Sequence, residues 1–334
     1  MSTFKTRLLS NLDIEKLITQ KEVVDAVERT WSECALGKVV NPPKLSLDLG
    51  ESGAWPNYSG HMNAMPAYVG WLDVAGLKWA GGFWNNIHRG IPSVCGMILL
   101  IEPKTGQFRA VLDGSLITAL RTAAQSVVGI KYLAAKNFTS IGIYGAGTQV
   151  RYHTLMFSKY FPSSEVRVYD IRRELVEELV QEFSNKFDMK IIPCNNPQEP
   201  SKADVIITLT SSKTPFIRAE WVRRGQLVIA LGSYQEIYPE VIRKADKIVV
   251  DQLQQALHRG ALKVLADKGE ITDNEVYATI GEIVAGLKAG RRGDEEIIFF
   301  EPIGTGMLDV AVAAIAYNKA VEQGIGQEFR FFGI

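Results

Sequence analysis

Ile141-Gly142-Ile143-Tyr144-Gly145-Ala146-Gly147-Thr148-Gln149-Val150 decides how the chain is read. A short uncharged apolar run enters two glycines one residue apart, and a helix-like stretch follows. A G-x-G alone marks turns of many kinds. Between a strand and a helix it becomes the turn on which a dinucleotide pyrophosphate rests. Gly145 permits the tight turn, and Gly147 lets backbone approach the phosphates. The helix starting near Thr148 then presents unpaired N–H groups and a positive dipole end. Gln149 lies in its first turn. Val150 replaces the third glycine of the usual fingerprint, so helix and strand are expected to pack slightly further apart.

Downstream, strand-like and helix-like segments alternate. Val166-Arg167-Val168-Tyr169 precedes a helix over about 172–187, then Lys190-Ile191-Ile192. Further strands are expected at 205–209, 227–230, 247–250 and 297–300. Short apolar strands with helices between them imply a Rossmann-type, doubly wound parallel sheet buried on both faces. Asp170 ends the second strand, where a carboxylate accepts from the adenosine ribose hydroxyls and repels a 2′-phosphate; this favours NAD(H), with NADP(H) the alternative. Ile171 and Arg172 follow it on the cofactor side. Arg172 and Arg173 either soften that preference or are solvated first-turn residues. Thr208, Leu209, Thr210 and Ser211 close the next strand on the same carboxyl edge, and Gly232 and Ser233 follow the strand after that. All six are assigned to the cofactor.

Upstream, residues 11–38 read as helical, with Leu12, Ile14, Leu17, Ile18, Val23, Val24, Ala26 and Val27 forming an apolar stripe. From about 42 to 106, Gly, Pro and Asn punctuate short apolar runs, which predicts a sheet with irregular loops. Residues 116–135 read as a long helix, and the Ala-rich tail over 304–323 as another. The tail is expected to fold back on the N-terminal part. The chain is accordingly divided into a discontinuous α+β substrate and dimerisation domain, 1–119 with 305–334, and a Rossmann domain, 120–304.

Lys and Arg together equal Asp and Glu together, 37 each, so no net field draws in nucleic acid or an anionic membrane. No apolar run is long enough to span a bilayer, and the first residues lack the apolar core of a signal peptide. Cys34, Cys95 and Cys194 are scattered, and the four histidines show no ligand spacing. These features point to a reducing cytoplasm and no metal.

Two cations sit in apolar settings. Lys78 lies in Gly76-Leu77-Lys78-Trp79-Ala80-Gly81-Gly82 and Arg121 in Ile117-Thr118-Ala119-Leu120-Arg121-Thr122-Ala123-Ala124, with no carboxylate nearby in either stretch. A buried cation without a partner is costly, so each must meet an anion from elsewhere in the fold or from a ligand, unless it snorkels to solvent. Arginine offers a planar fork for a carboxylate. Lysine is a compact donor whose pKa burial can lower.

Met65-Pro66-Ala67-Tyr68, Gly76-Leu77-Lys78-Trp79, Thr118-Ala119-Leu120-Arg121-Thr122-Ala123-Ala124, Gly145-Ala146-Gly147-Thr148-Gln149-Val150-Arg151 and Gly304-Thr305-Gly306-Met307-Leu308-Asp309 resemble the ornithine cyclodeaminase/mu-crystallin family, from about residue 40 to about 320. The resemblance implies a homodimer and an oxidoreductase that passes hydride between nicotinamide and the α-carbon of an amino acid/imino acid pair. It assigns Lys78 and Arg121 to catalysis and to the substrate carboxylate. Lys44 falls where many members carry a carboxylate-binding arginine, and Tyr234 and Gly304 fall at substrate positions. Tyr234 stands where cyclodeaminases and the archaeal alanine dehydrogenase place an aspartate that holds the substrate amine and assists proton transfer, and a neutral tyrosine is a poor base. Glu236, two residues on, either replaces it or faces solvent. Imine reductase or amino-acid dehydrogenase is therefore the leading expectation. The alternatives are a deaminating cyclodeaminase with recycled NAD, an opine-type conjugate dehydrogenase and a non-catalytic mu-crystallin-like binder.

Overall fold

The computed structural model describes residues 4–50, 56–58, 60–184, 186–232 and 234–331. It divides into two compact units, residues 1–121 with 305–334 and residues 122–304.

The first unit opens with strand β1 (Thr6–Leu9) and helices α1 (Asn11–Leu17) and α2 (Gln20–Ala35). The single helix expected over 11–38 is thus two. Ser10 with Asp13 and Thr19 with Glu22 form reciprocal capping boxes, and Thr19 takes extended backbone and restarts the helix. Strands β2 (Val39–Val40), β3 (Leu45–Asp48), β4 (Gly60–Val69), β5 (Val74–Phe83), β6 (Val94–Ile101) and β7 (Phe108–Asp113) follow, then the long helix α3 (Gly114–Leu133), which runs on into the second unit.

The second unit continues with β8 (Ser140–Tyr144), α4 (Thr148–Tyr160), β9 (Glu165–Tyr169), α5 (Arg173–Ser184), β10 (Ile191–Pro193), β11 (Val205–Thr208) and β12 (Leu227–Ala230). Then come α6 (Pro239–Arg243), β13 (Lys247–Val250), α7 (Leu253–Ala256), α8 (Lys263–Asp267), β14 (Ala278–Thr279), α9 (Ile280–Val284) and β15 (Ile298–Glu301). The chain returns to the first unit with α10 (Gly306–Gln323) and β16 (Gln327–Phe329).

The first unit's sheet runs in the order β16-β1-β7-β6-β5-β4-β2, with β3 also on β4. Both chain ends therefore join it. These short end strands were not expected, because three or four residues carry too little periodicity to register. The central strands alternate inward and outward. Met65 and Ala67, Lys78 and Ala80, Ile98 and Leu100, and Ala110 and Leu112 are buried, while Trp79, Met97 and Phe108 face out and are exposed. Helix α10 lies against β4, β5, β6 and α2, the packing expected for the tail. A Cβ on Gly306 would come within 2.4 Å of the Met65 carbonyl oxygen, so only glycine lets the helix start this close to β4.

The second unit's sheet is parallel, in the order β10-β9-β8-β11-β12-β15-β13-β14. All residues of β8, β11, β12, β13 and β15 are buried, as a sheet covered on both faces requires. The order reverses between β8 and β11, and the glycine turn follows β8 at that switch point. Among the described residues no helix is long and apolar enough to cross a membrane.

His153 on α4 is fully buried. Its Nδ1 lies 2.8 Å from the Gln149 carbonyl, which only accepts, so Nδ1 carries the proton and Nε2 accepts from the Ser126 hydroxyl at 2.9 Å. Burial pulls the imidazole down to about 4 from 6.5. Between those values the unfolded chain binds the extra proton, so stability is lost as pH falls through that window. This group alone predicts a loss of about 2 kcal/mol between about pH 7 and pH 5, read from urea midpoints. His153→Gln should lose less over the same interval; an equally steep loss in the variant would assign the pH dependence to other groups.

Candidate functional site

In the second unit, the turn after β8 is tied from two sides. Gly145 N–H donates to the Tyr169 carbonyl at 2.8 Å, and Leu209 N–H to the Tyr144 carbonyl at 2.8 Å. Gly145 holds φ +109°, and a Cβ there would stand 2.9 Å from the Leu209 carbonyl oxygen. Gly147, in contrast, would meet nothing within 4 Å, so the outer face of the turn is open. Helix α4 starts at Thr148 with Gly147 as its N-cap and no side-chain cap. Gln149 is half-buried and Val150 fully buried. Such a terminus, with an open glycine beside it, suits an anion.

Asp170 stands at the end of β9 beside this turn. Oδ2 accepts from Ala146 N–H at 2.8 Å and Oδ1 from Arg172 N–H at 2.9 Å. The carboxylate thus braces the turn, and each oxygen keeps a second lone pair for a ribose hydroxyl. Ile171 beyond it is exposed, as are Arg172 and Arg173, the latter bonded to Glu177. Thr208 is buried at the end of β11; Leu209 and Thr210 are half-buried and Ser211 exposed.

Glu236 is buried at this same sheet edge. Its Oε1 accepts from Thr210 N–H at 2.8 Å and from the Thr210 hydroxyl. A Cβ on Gly232 would fall 2.0 Å from its Oε2, so the carboxyl packs directly on that glycine's backbone. Burial pushes the carboxyl above the usual range, against the opposing Thr210 and Thr208 bonds. Glu236 therefore does not face solvent; it braces the ends of β11 and β12. Tyr234 is half-buried with Lys213 Nζ over its ring at 5.7 Å, and Ser233 lies outside the described residues.

In the first unit, Lys78 and Arg121 meet at one carboxylate that sequence reasoning missed. Lys78 Nζ is 2.6 Å from Asp309 Oδ2, and Arg121 Nε is 3.0 Å from Asp309 Oδ1. Lys78 also donates to the Thr118 hydroxyl at 3.3 Å, and that hydroxyl donates to the Gly114 carbonyl at 2.6 Å. Thr118 and Arg121 stand three residues apart on one face of α3. Burial pulls the Lys78 ammonium down to about 8; Asp309 opposes the fall and Arg121 adds to it. Burial would raise Asp309, but Arg121 and Lys78 outweigh it and hold the carboxyl below its ordinary value. The signal was in the sequence: Asp309 is the one charged residue among the apolar first turns of α10, 188 residues from Arg121.

Lys44 is half-buried just before β3. Gly304, at φ +84°, has its N–H bonded to Asp251 Oδ2 at 2.6 Å and its carbonyl to Gln255 Nε2 at 3.1 Å, so its backbone is engaged within the second unit.

Residues 4–324 match the model of the ornithine cyclodeaminase/mu-crystallin family. The chain is 37% identical over 335 residues to an alanine dehydrogenase of Archaeoglobus fulgidus, covering 99% of this chain and 100% of that protein. Among solved structures, an archaeal alanine dehydrogenase dimer with bound NAD superposes with TM-score 0.91 at 37% identity, covering 98% of this chain and 100% of that one. A Delta(1)-pyrroline-2-carboxylate reductase of Thermococcus litoralis, in complex with NADH and L-proline, superposes with TM-score 0.90 at 33% identity, covering 96% and 99%. With its full set of motifs and both folds in place, the chain belongs to the ornithine cyclodeaminase/mu-crystallin family.

Proposed function

We propose that the protein is an NAD(H)-dependent oxidoreductase acting on the Cα–N bond of an amino acid/imino acid pair, working as an imine reductase or amino-acid dehydrogenase. The observation that carries this reading is the buried cluster of two cations on one carboxylate. Its one surplus positive charge suits a single α-carboxylate. The similarity to an alanine dehydrogenase and a pyrroline-2-carboxylate reductase supports the same chemistry.

The nucleotide residues fit NAD(H). The open face of Gly147, the uncapped start of α4 and the Ala146–Thr148 backbone would hold the pyrophosphate, and Asp170 the adenosine ribose. Ile171, Arg172, Thr208–Ser211, Gly232 and Ser233 complete the assignment. Bound NADH supplies the hydride for the imine carbon. Lys78 and Arg121, with Lys44, hold the α-carboxylate, and Tyr234 is assigned to the substrate. Lys78, protonated at neutral pH, is the group able to give or take a proton beside the substrate. The substrate iminium arrives protonated, so reduction asks mainly for anchoring and electrostatics. A cyclodeaminase asks for more, namely a base at Cα throughout. Glu236 is engaged through Oε1 with the Thr210 amide and hydroxyl, which favours its reading as a brace of the strand ends.

The assembly is assigned as a homodimer. The outward face of the first unit's sheet carries Leu45, Leu47, Trp79, Met97 and Phe108, all exposed and apolar. A self-complementary patch of this kind suits a two-fold interface. Among the described residues Cys34, Cys95 and Cys194 form no disulfide, which suits the cytoplasm.

The activity is tested by NADH oxidation with cyclic and acyclic α-imino acids. Turnover is expected, with no proline accumulating from ornithine; quenching of NADH fluorescence without turnover would leave a binder. Arg121→Met should keep NADH affinity but lower kcat/KM at least about a hundredfold, since a charge-assisted carboxylate contact is lost. Near-normal turnover in that variant would make Arg121 a structural cation.

For cofactor choice, NAD(H) should bind at least about tenfold tighter than NADP(H), about 1.4 kcal/mol. Equal affinities in fluorescence titrations would show that Arg172 accommodates the 2′-phosphate. For assembly, sedimentation should give a dimer, and Trp79→Glu with Met97→Glu, neighbours across β5 and β6, should give a folded monomer. A dimer that survives both changes would place the interface elsewhere.

A further inference from the structure

We infer that Asp309 is a positioning residue of the reaction, the carboxylate that fixes the charge and place of Lys78 for substrate capture. The inference rests on the assignment of Lys78 and Arg121 to the substrate carboxylate. Asp309 is fully buried and divides its two oxygens between the two cations, Oδ2 at 2.6 Å from Lys78 and Oδ1 at 3.0 Å from Arg121.

The fold delivers it there. Asp309 lies in the first turn of α10, where a negative charge is favoured by the helix dipole. Gly306, three residues earlier on the same face, packs on the Met65 backbone, and Met65 pairs in register with Lys78 across β4 and β5. Asn41 caps the same end, its side-chain oxygen accepting from Met307 N–H at 3.0 Å. Helix start, strand register and carboxylate are therefore set together.

The charge count gives the role. Arg121 and Lys78 without Asp309 would be two cations buried side by side, and the lysine would shed its proton first. With Asp309 present the cluster stays cationic by one charge, the complement of one α-carboxylate. The charged groups facing Lys78 are Asp309 from α10 and Arg121 from α3; across the neighbouring strands stand Met65 and Ile98, and Thr118 adds a hydroxyl.

The test compares wild type, Asp309→Asn and Asp309→Glu in pH profiles of kcat/KM for imine reduction. Wild type should lose activity on an alkaline limb near about 8 as Lys78 deprotonates. Asp309→Asn should move that limb at least about one pH unit lower and reduce kcat/KM at neutral pH at least about tenfold, with NADH affinity unchanged. Asp309→Glu should return the limb toward its original position. A carboxylate that merely held α10 in place would lower stability and leave the limb where it is, and that result overturns the inference.

A second readout is independent of turnover. In a urea-unfolding cycle, Lys78→Met combined with Asp309→Asn should be more stable than the sum of the single losses predicts, because the pair removes both charges together. An additive cycle overturns the inference, and so does a double variant that misfolds when Asp309→Asn alone misfolds. Failure of the proposed function would look different, as absence of wild-type turnover on every imino acid tried.

Discussion

Lys78, Arg121 and Asp309 are each almost wholly removed from water, and none is tolerable there alone. Taking Asp309 from such a buried cluster costs about 3–5 kcal/mol, because both cations are left with neither solvent nor counterion. The three come from the middle of β5, from α3 and from the first turn of α10. The first unit can therefore form its core only when its C-terminal helix has returned to the sheet. The same cluster fixes strand register. A one-residue slip of β5 would turn Lys78 outward and drive Trp79 beneath α10, trading a paired charge for an overpacked indole.

The second unit is governed by a different constraint, the burial of a parallel sheet on both faces. Two of its carboxyls stand at the carboxyl ends of the strands, where the backbone leaves the ladder. There Asp170 braces the glycine turn through Ala146, and Glu236 braces the strand ends through Thr210. Two carboxyls that look alike in sequence thus sit in opposite settings. Asp170 is half-buried and bonded to two backbone amides; Glu236 is buried and held above the ordinary carboxylate range.

The parts legible in the sequence are those with local signatures. The glycine turn, the strand–helix alternation of 140–300 and the long α3 follow from apolar runs and breakers that lie within a few residues of one another. The break at Thr19 was equally legible, since both capping boxes are local patterns, but an unbroken apolar stripe masked it. What could not be read is what depends on distant pairing. Strands β1 and β16 are stable only because each pairs with the other and β1 with β7. For Lys78 and Arg121 the sequence left two outcomes, an anion from elsewhere or a side chain that snorkels to solvent; that Asp309 supplies an anion follows only from the packing of α10. Glu236 was ambiguous for the same reason, because Thr210, 26 residues away, decides where it points.

These settings together favour hydride chemistry over deamination. A cyclodeaminating site must move protons on and off nitrogen while a second amine attacks, so it needs a carboxylate base within reach of Cα. The resemblance puts Tyr234 at the aspartate position, and Glu236, two residues on, is engaged with the Thr210 amide and hydroxyl. Burial brings the Lys78 ammonium down to about 8. A protonated lysine beside an arginine stabilises a bound carboxylate and the iminium's counter-charge without abstracting a proton from it. Reduction of an imine needs no abstraction at all; the reverse oxidation needs only a group that can accept one proton as the amine becomes an imine. In the proposed reaction a single lysine with a pKa near the working pH meets both demands.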